Sequence, residues 1–164
     1  MSPLAICQAI QDSAVGTSIR ESVWVFPGIE TVHVLSLALS VGTILLLDLR
    51  LIGAGMRHTH VFQIVNGLKR WYLTGFALMF ASGALLFWSE AAKCYKSGPF
   101  RFKMLFLLLA GVNALIFEIR FNPTINEWGG KERAPAGAKT LGWCSLVCWI
   151  GVIALGRWTA YGMR

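Results

Sequence analysis

Four long apolar segments dominate this chain of 164 residues, and only 14% of its residues are charged. A soluble domain carries about 25% charged residues, so the composition indicates a lipid environment. Each segment is long enough to cross the roughly 30 Å hydrocarbon core of a bilayer as a helix. Helices satisfy their backbone hydrogen bonds internally, which favours them over open strands in lipid. The sequence therefore predicts an all-α integral membrane four-helix bundle in one domain, residues 1–164, with spans at about 23–49, 71–90, 102–121 and 140–158.

The residues before the first apolar segment have a different pattern. In residues 3–20 the apolar side chains of Ile6, Cys7, Ile10 and Ala14 recur on one side of a helix. This spacing predicts a short N-terminal amphipathic helix that lies at the membrane interface. Inside the first span, Pro27 predicts a kink about two turns from the start of the helix.

The cations of the chain, which has a net charge of +7, cluster at the ends of the apolar segments. This is the pattern of membrane flanks, and we expect no nucleic-acid partner. One cation, Arg20, precedes the first span, whereas four follow it within residues 50–70. Because cytoplasmic loops are enriched in Lys and Arg, we predict periplasmic termini. Cys94 then lies on the periplasmic side, where a membrane-impermeant thiol reagent is expected to reach it.

The first span contains ionisable side chains, which are costly in lipid and mark functional or paired sites. Glu30, His33, Ser36 and Ser40 fall on one stripe of the helix. We predict that His33 binds a cofactor and that Glu30, one turn away, orients the imidazole.

Further polar residues are predicted to lie in the other three spans near this stripe. If the helices alternate in direction, Glu90, Lys103 and Arg157 lie at the same membrane face as His33, and with Asn113 they form a candidate polar cluster. The cluster is either a half-buried site for protons, a cofactor or a charged ligand, or a set of interfacial ion pairs that fix helix register.

At the opposite face the sequence predicts an ion pair between Asp48 and Arg50 at a helix end. No cysteine or histidine spacing is typical of a metal site, and no catalytic signature is present. We therefore assign no metal ligand and no catalytic residue, and do not expect the chain to be an enzyme on its own. Small residues on the second and fourth spans are predicted to permit close helix approach; they are Gly75, Gly83, Gly142 and Gly151.

Several strings carry a family resemblance: IETVHVLSLALSVGTILLLDLRLIG from Ile29, GFALMFASGALLF from Gly75, and FRFKMLFLLLAGVNALIFE from Phe100. In these strings and the terminal Gly156-Arg157, the chain resembles the uncharacterised bacterial four-helix membrane family called domain of unknown function 6644. The resemblance covers nearly the whole chain and implies a multi-pass protein of the bacterial inner membrane. Such proteins typically have a histidine where this chain has Glu118, a departure that weakens any two-histidine site within one chain.

Three functions remain open at this point. The leading hypothesis is a haem b- or quinone-interacting subunit of a membrane redox complex, with His33 as an axial ligand. His33 is the only histidine within a span, so bis-histidine ligation requires a second chain; Met79 or Met104 is the alternative second ligand within this chain. The second hypothesis is a small proton- or metal-handling transporter that uses Glu30, His33 and Lys103. The third is a non-catalytic assembly partner. The expected partners are the lipid bilayer and a second copy or other membrane subunits.

Overall fold

The computed structural model describes residues 2–162, which form helices and connecting turns without strands. Four of the helices are long and apolar enough to cross a membrane, so the predicted all-α four-helix membrane fold is confirmed. In chain order the helices are α1 (Pro3–Gln11), α2 (Ala14–Glu21), α3 (Val25–Ile52), α4 (Val61–Ser89), α5 (Ala91–Lys96), α6 (Gly98–Arg120), α7 (Ile125–Trp128) and α8 (Ala136–Gly162).

The N-terminal segment forms two helices, where the sequence predicted one. The chain turns between α1 and α2, and the Ser13 hydroxyl accepts a hydrogen bond from the Gly16 amide to begin α2. At this turn the Gln11 carbonyl lies so close to Gly16 that a Cβ there would not fit. Both helices lie over the end of α4, where the Trp88 indole N–H donates to Ser13 Oγ at 2.9 Å.

Two other boundaries differ from the prediction. Helix α3 begins at Val25, which places Pro27 in the first turn, where its missing N–H removes no intrahelical bond. The prediction of a proline two turns into the helix was therefore wrong. Helix α4 begins at Val61 because its first turns are amphipathic, with Ile64 buried and Lys69 exposed, and a purely apolar criterion does not detect such turns.

Small residues set the close contact between α3 and α4. A Cβ on Gly75 would lie 2.9 Å from the backbone nitrogen of Ser40, and one on Gly83 would lie 3.0 Å from Cε1 of His33. Gly83 comes after Gly75 on α4, whereas its contact His33 comes before Ser40 on α3. Helices α3 and α4 are therefore antiparallel. The predicted role of both glycines is confirmed.

Helix α8 packs against α3 and α6 through its own glycines. A Cβ on Gly142 would lie 3.2 Å from Cβ of Leu51, and one on Gly151 would lie 2.9 Å from the Phe106 ring. Farther along α8, Ser145 lies beside Asp48 and Gly156 beside Lys103, which are earlier residues of α3 and α6. Helix α8 is therefore antiparallel to both neighbours, and the four long helices alternate in direction as predicted. We call the two ends of the bundle the His33 end and the Arg50 end.

The ring of long helices has one open side. Helix α3 packs along α4 and α8, and α8 packs along α6, but within residues 2–162 no comparable packing joins α4 to α6. Helix α6 is also the least buried of the four. The bundle consequently has a lateral cleft between α4 and α6.

Candidate functional site

A cavity of about 310 Å³ lies among the four long helices, in the half of the bundle toward the Arg50 end. Its walls are stripes of side chains spaced by three or four residues, which is the spacing of one helix face. Helix α4, for example, contributes Leu68, Tyr72, Phe76 and Phe80, and α8 contributes Leu141, Ser145 and Trp149. Because every long helix supplies such a stripe, the cavity is a product of the whole bundle.

The cavity has a closed back and an open mouth. On the α3 and α8 side its lining residues Asp48 and Trp149 are buried. On the α4 and α6 side Phe80 is 57% exposed, and Gly111 and Glu118 are exposed as well. The mouth therefore faces the region that lipid occupies around a membrane helix bundle.

Polar side chains interrupt the otherwise apolar lining at the back of the cavity. Asp48 is only 4% exposed, and its Oδ2 atom has no hydrogen-bond partner among the described residues. Ser145 on α8 is the polar neighbour of its carboxyl group in the cavity lining. Beside them, the Asn113 amide donates to the Leu141 carbonyl at 3.1 Å. A buried polar atom without a hydrogen-bond partner costs free energy. A ligand that forms a hydrogen bond with Asp48 Oδ2 would remove this cost.

Two more polar residues lie at the mouth. Tyr72 on α4 and Glu118 on α6 line the cavity from opposite sides of the cleft, and the Glu118 charge acts on the Tyr72 hydroxyl. The Glu118 carboxylate also accepts a hydrogen bond from the Asn122 amide at 3.0 Å. The mouth thus joins an apolar entrance to a small number of polar groups, as in sites for small molecules.

The predicted ion pair between Asp48 and Arg50 was wrong. Among residues 2–162 the salt bridge that forms is between Lys93 and Glu90. Residues two apart on a helix do not face each other, so Asp48 points to the cavity side of α3 and Arg50 to another.

Arg50 instead forms hydrogen bonds with the loops at its end of the bundle. Its side chain is buried, with the residue only 1% exposed. Its Nε donates to the Thr59 carbonyl at 2.8 Å, and its Nη2 donates to the carbonyls of Lys131 at 2.8 Å and Gly129 at 3.4 Å. One guanidinium thereby joins the α3–α4 connection to the loop before α8. Arg50 is a structural cation and lies outside the cavity lining.

His33, the predicted cofactor ligand, contacts a serine of the neighbouring helix. The His33 Nδ1 atom lies 3.1 Å from Ser82 Oγ on α4, and the charges of Lys103 and Glu30 act on the imidazole. Glu30 is exposed and makes no hydrogen bond to His33. Ser82, which the prediction did not assign, holds the imidazole in place of Glu30.

The predicted polar cluster separates into different environments. Glu90 pairs with Lys93 at 2.8 Å, while Lys103 is partly buried against Gly156. Arg157 is exposed and donates to the Tyr161 hydroxyl on its own helix at 3.1 Å.

Asn113 belongs to the cavity, about 15 Å along α6 from Lys103 at 1.5 Å per residue. The alternation of the helices therefore brings His33 and Lys103 near each other, but not Asn113.

The expectation that a thiol reagent would reach Cys94 was wrong. The side chain is 5% exposed in α5, and burial, with a contribution from the Glu90 charge, raises the pKa of its thiol to about 11. Because the thiolate is the nucleophile, we expect Cys94 to resist maleimide in the folded protein at pH 7. Its labelling rate, followed by peptide mass spectrometry, is expected to rise roughly tenfold per pH unit toward pH 11.

The exposed position 96 provides the control for this prediction and for membrane orientation. We expect a Lys96→Cys thiol to react rapidly at pH 7 with an impermeant maleimide added outside intact cells. Equal labelling of Cys94 and Lys96→Cys would contradict the burial of Cys94. Labelling of Lys96→Cys only after the membrane is opened would invert the predicted orientation.

Sequence inspection missed the cavity and the residues that give it polarity, chiefly Ser145 and Tyr72. A signal for Ser145 was present, since it is the only hydroxyl residue in the apolar stretch 141–156. No histidine, cysteine or methionine lines the cavity, and among the described residues no group of three or more His, Cys, Asp or Glu is placed to hold a metal ion.

Comparison with known proteins gives one match. A family model described as a family of unknown function, DUF6644, matches residues 19–162. No curated protein and no solved structure matches the chain.

Proposed function

We propose that this chain, which belongs to the DUF6644 family of unknown function, binds a lipid-soluble quinone in the cavity between its four long helices. This is the quinone-binding form of the redox-subunit hypothesis. The observation that carries it is the 310 Å³ cavity, which combines a lateral mouth, apolar walls and a buried carboxyl group.

The size and composition of the cavity suit such a ligand. Small-molecule sites have volumes of about 300–1,000 Å³, mostly apolar walls and few polar groups. A quinone has a flat ring with two oxygens and an apolar tail. Phe76 and Trp149, whose ring centroids are 5.6 Å apart, supply aromatic faces for the ring. The tail leaves between α4 and α6 and remains in the bilayer.

Haem does not fit the same cavity. Haem iron needs an axial His, Met, Cys or Tyr, and the one such residue in the lining, Tyr72, stands at the mouth. His33 packs against Gly83, where a Cβ would already lie 3.0 Å from the imidazole, so no macrocycle has room on that face. We therefore derive no role for haem in this chain.

Gly111 permits a direct test, because it lines the mouth and a Cβ there meets nothing within 4 Å. Gly111→Phe should fill the cleft without straining the helices. Purified protein in nanodiscs is titrated with a short-chain benzoquinone. Quenching of the fluorescence of the seven tryptophans, of which Trp149 lines the cavity, reports binding. We expect saturable quenching in the wild type and a Kd raised by about tenfold or more in Gly111→Phe, a loss of about 1.4 kcal/mol.

Gly42→Phe is the matched control, since Gly42 on α3 is exposed, has open space around it and lies outside the cavity. It should bind the quinone as the wild type does. Quenching that does not saturate, or that is equal in the two variants, would reject quinone binding and leave the transporter and assembly hypotheses. The predicted orientation, with the His33 end periplasmic, remains part of this proposal.

A further inference from the structure

Two hydrogen-bond donors in the cavity wall, those of Asn113 and Thr43, are already engaged by the protein. The Asn113 amide donates to Leu141, and the Thr43 hydroxyl donates to the Leu39 carbonyl at 2.9 Å. Ser145 lies beside Asp48 in the same wall. The remaining donors of the lining, the Tyr72 hydroxyl and the Trp149 indole N–H, serve a quinone carbonyl and a hydroquinone hydroxyl alike, since both can accept a hydrogen bond.

Acceptors, by contrast, remain available. Asp48 Oδ2 is buried without a partner among the described residues, and the amide oxygen of Asn113 is not used by the bond to Leu141. In its ionised form the carboxyl group of Asp48 accepts hydrogen bonds and donates none. Because a buried acceptor without a donor is costly, the wall favours a ligand that brings a hydroxyl group.

The charges around the cavity exclude another class of ligand. Asp48 and Glu118 are the acidic residues of the lining, which contains no Lys, Arg or His. A fatty-acid carboxylate or a lipid phosphate would meet two carboxylates and no cation, so a neutral head group is favoured.

We infer that the cavity selects the hydroquinone form of its ligand over the quinone, with Asp48 as the specificity-determining residue. This inference rests on the proposed function. The hydroquinone hydroxyl donates to Asp48, while the ring and tail occupy the apolar walls that either form would use. No oxidation or reduction is part of the inference, which concerns binding alone.

The test compares two ligands with the same ring and tail in anaerobic nanodisc titrations. We expect the wild type to bind the short-chain hydroquinone about tenfold more tightly than the quinone, equivalent to one well-placed hydrogen bond. The dimethyl ether of the hydroquinone, which has no donor, should bind no more tightly than the quinone. These two comparisons need no variant, so they hold even if substitutions at Asp48 disturb folding.

Asp48→Asn should remove the preference, because the amide can donate to a quinone carbonyl. Glu30→Gln makes the same chemical change at an exposed site outside the cavity and should keep it. Equal wild-type affinities for the two forms, or a preference that persists in folded Asp48→Asn, would overturn the inference while leaving quinone binding intact. Failure of the wild type to bind either form would instead reject the proposed function, and tight binding of a sterol alcohol in their place would assign the hydroxyl site to another ligand class.

Discussion

The Arg50→Met variant is expected to lose the ordered Arg50 end of the bundle. The substitution keeps an apolar stem but leaves the carbonyls of Thr59 and Lys131 without the donors that now lie 2.8 Å away. Hydrogen bonds to a charged group contribute about 1.5–3 kcal/mol each, so we expect a loss of about 3–5 kcal/mol in the free energy of unfolding. Titration with sodium dodecyl sulfate in mixed micelles, followed by circular dichroism, measures this loss.

Two variants sharpen the test of Arg50. Arg120→Met removes an exposed cation from the last turn of α6, and it should cost less than about 1 kcal/mol, as is usual for a surface charge at a helix end. Arg50→Lys keeps the charge but loses the planar fork that reaches two loops at once, so it should still lose most of the stability. An Arg50→Met variant as stable as Arg120→Met would show that the buried guanidinium does not hold the loops.

The Gly75→Leu variant is expected to separate α3 from α4. A Cβ at this position would lie 2.9 Å from the Ser40 backbone nitrogen and 3.1 Å from its Cα, so relief requires a shift of the helix backbone. Overpacking of this kind costs about 1–3 kcal/mol and occasionally more, and we expect about 3 kcal/mol for leucine. The same detergent titration measures the effect.

Gly67→Leu is the control within the same helix, because Gly67 is exposed and has no atom within 4 Å of its Cβ position. Leucine has a higher helix propensity than glycine, so this variant should be neutral or more stable by up to about 1 kcal/mol. Similar losses in Gly75→Leu and Gly67→Leu would mean that the close contact with Ser40 does not decide the outcome.

The membrane fold was predictable because hydrophobic length and glycine placement are local properties of the sequence. The four apolar segments fixed the long helices, and Gly75 and Gly83 correctly indicated the face of α4 that meets α3. The ends of the helices were harder to predict from the sequence. Residues 61–70 alternate between buried and exposed positions, so they belong to α4 without being apolar enough to be recognised as part of a span.

The candidate site was harder to predict because its residues are far apart in sequence. Asp48 and Arg50 are two positions apart in the chain, which suggested an ion pair. On the helix they lie on different faces and contact different residues. Arg50 bonds to Lys131, 81 positions away, and Asp48 meets Ser145 on the last helix. The cavity itself follows from the absence of close packing between α4 and α6, which depends on how four helices are arranged and not on any one of them.

Photo-crosslinking tests the central claim, that the lateral cavity binds a quinone, most directly. An azido-benzoquinone with a short tail is bound to the protein in nanodiscs, irradiated, and the modified peptides are identified by mass spectrometry. We predict labels on cavity residues of α4 and α6, including Phe76 and Ala114, that unlabelled quinone competes away and that Gly111→Phe abolishes. Labels confined to outward-facing residues such as Leu35, which is 64% exposed, and insensitive to competitor would contradict the account.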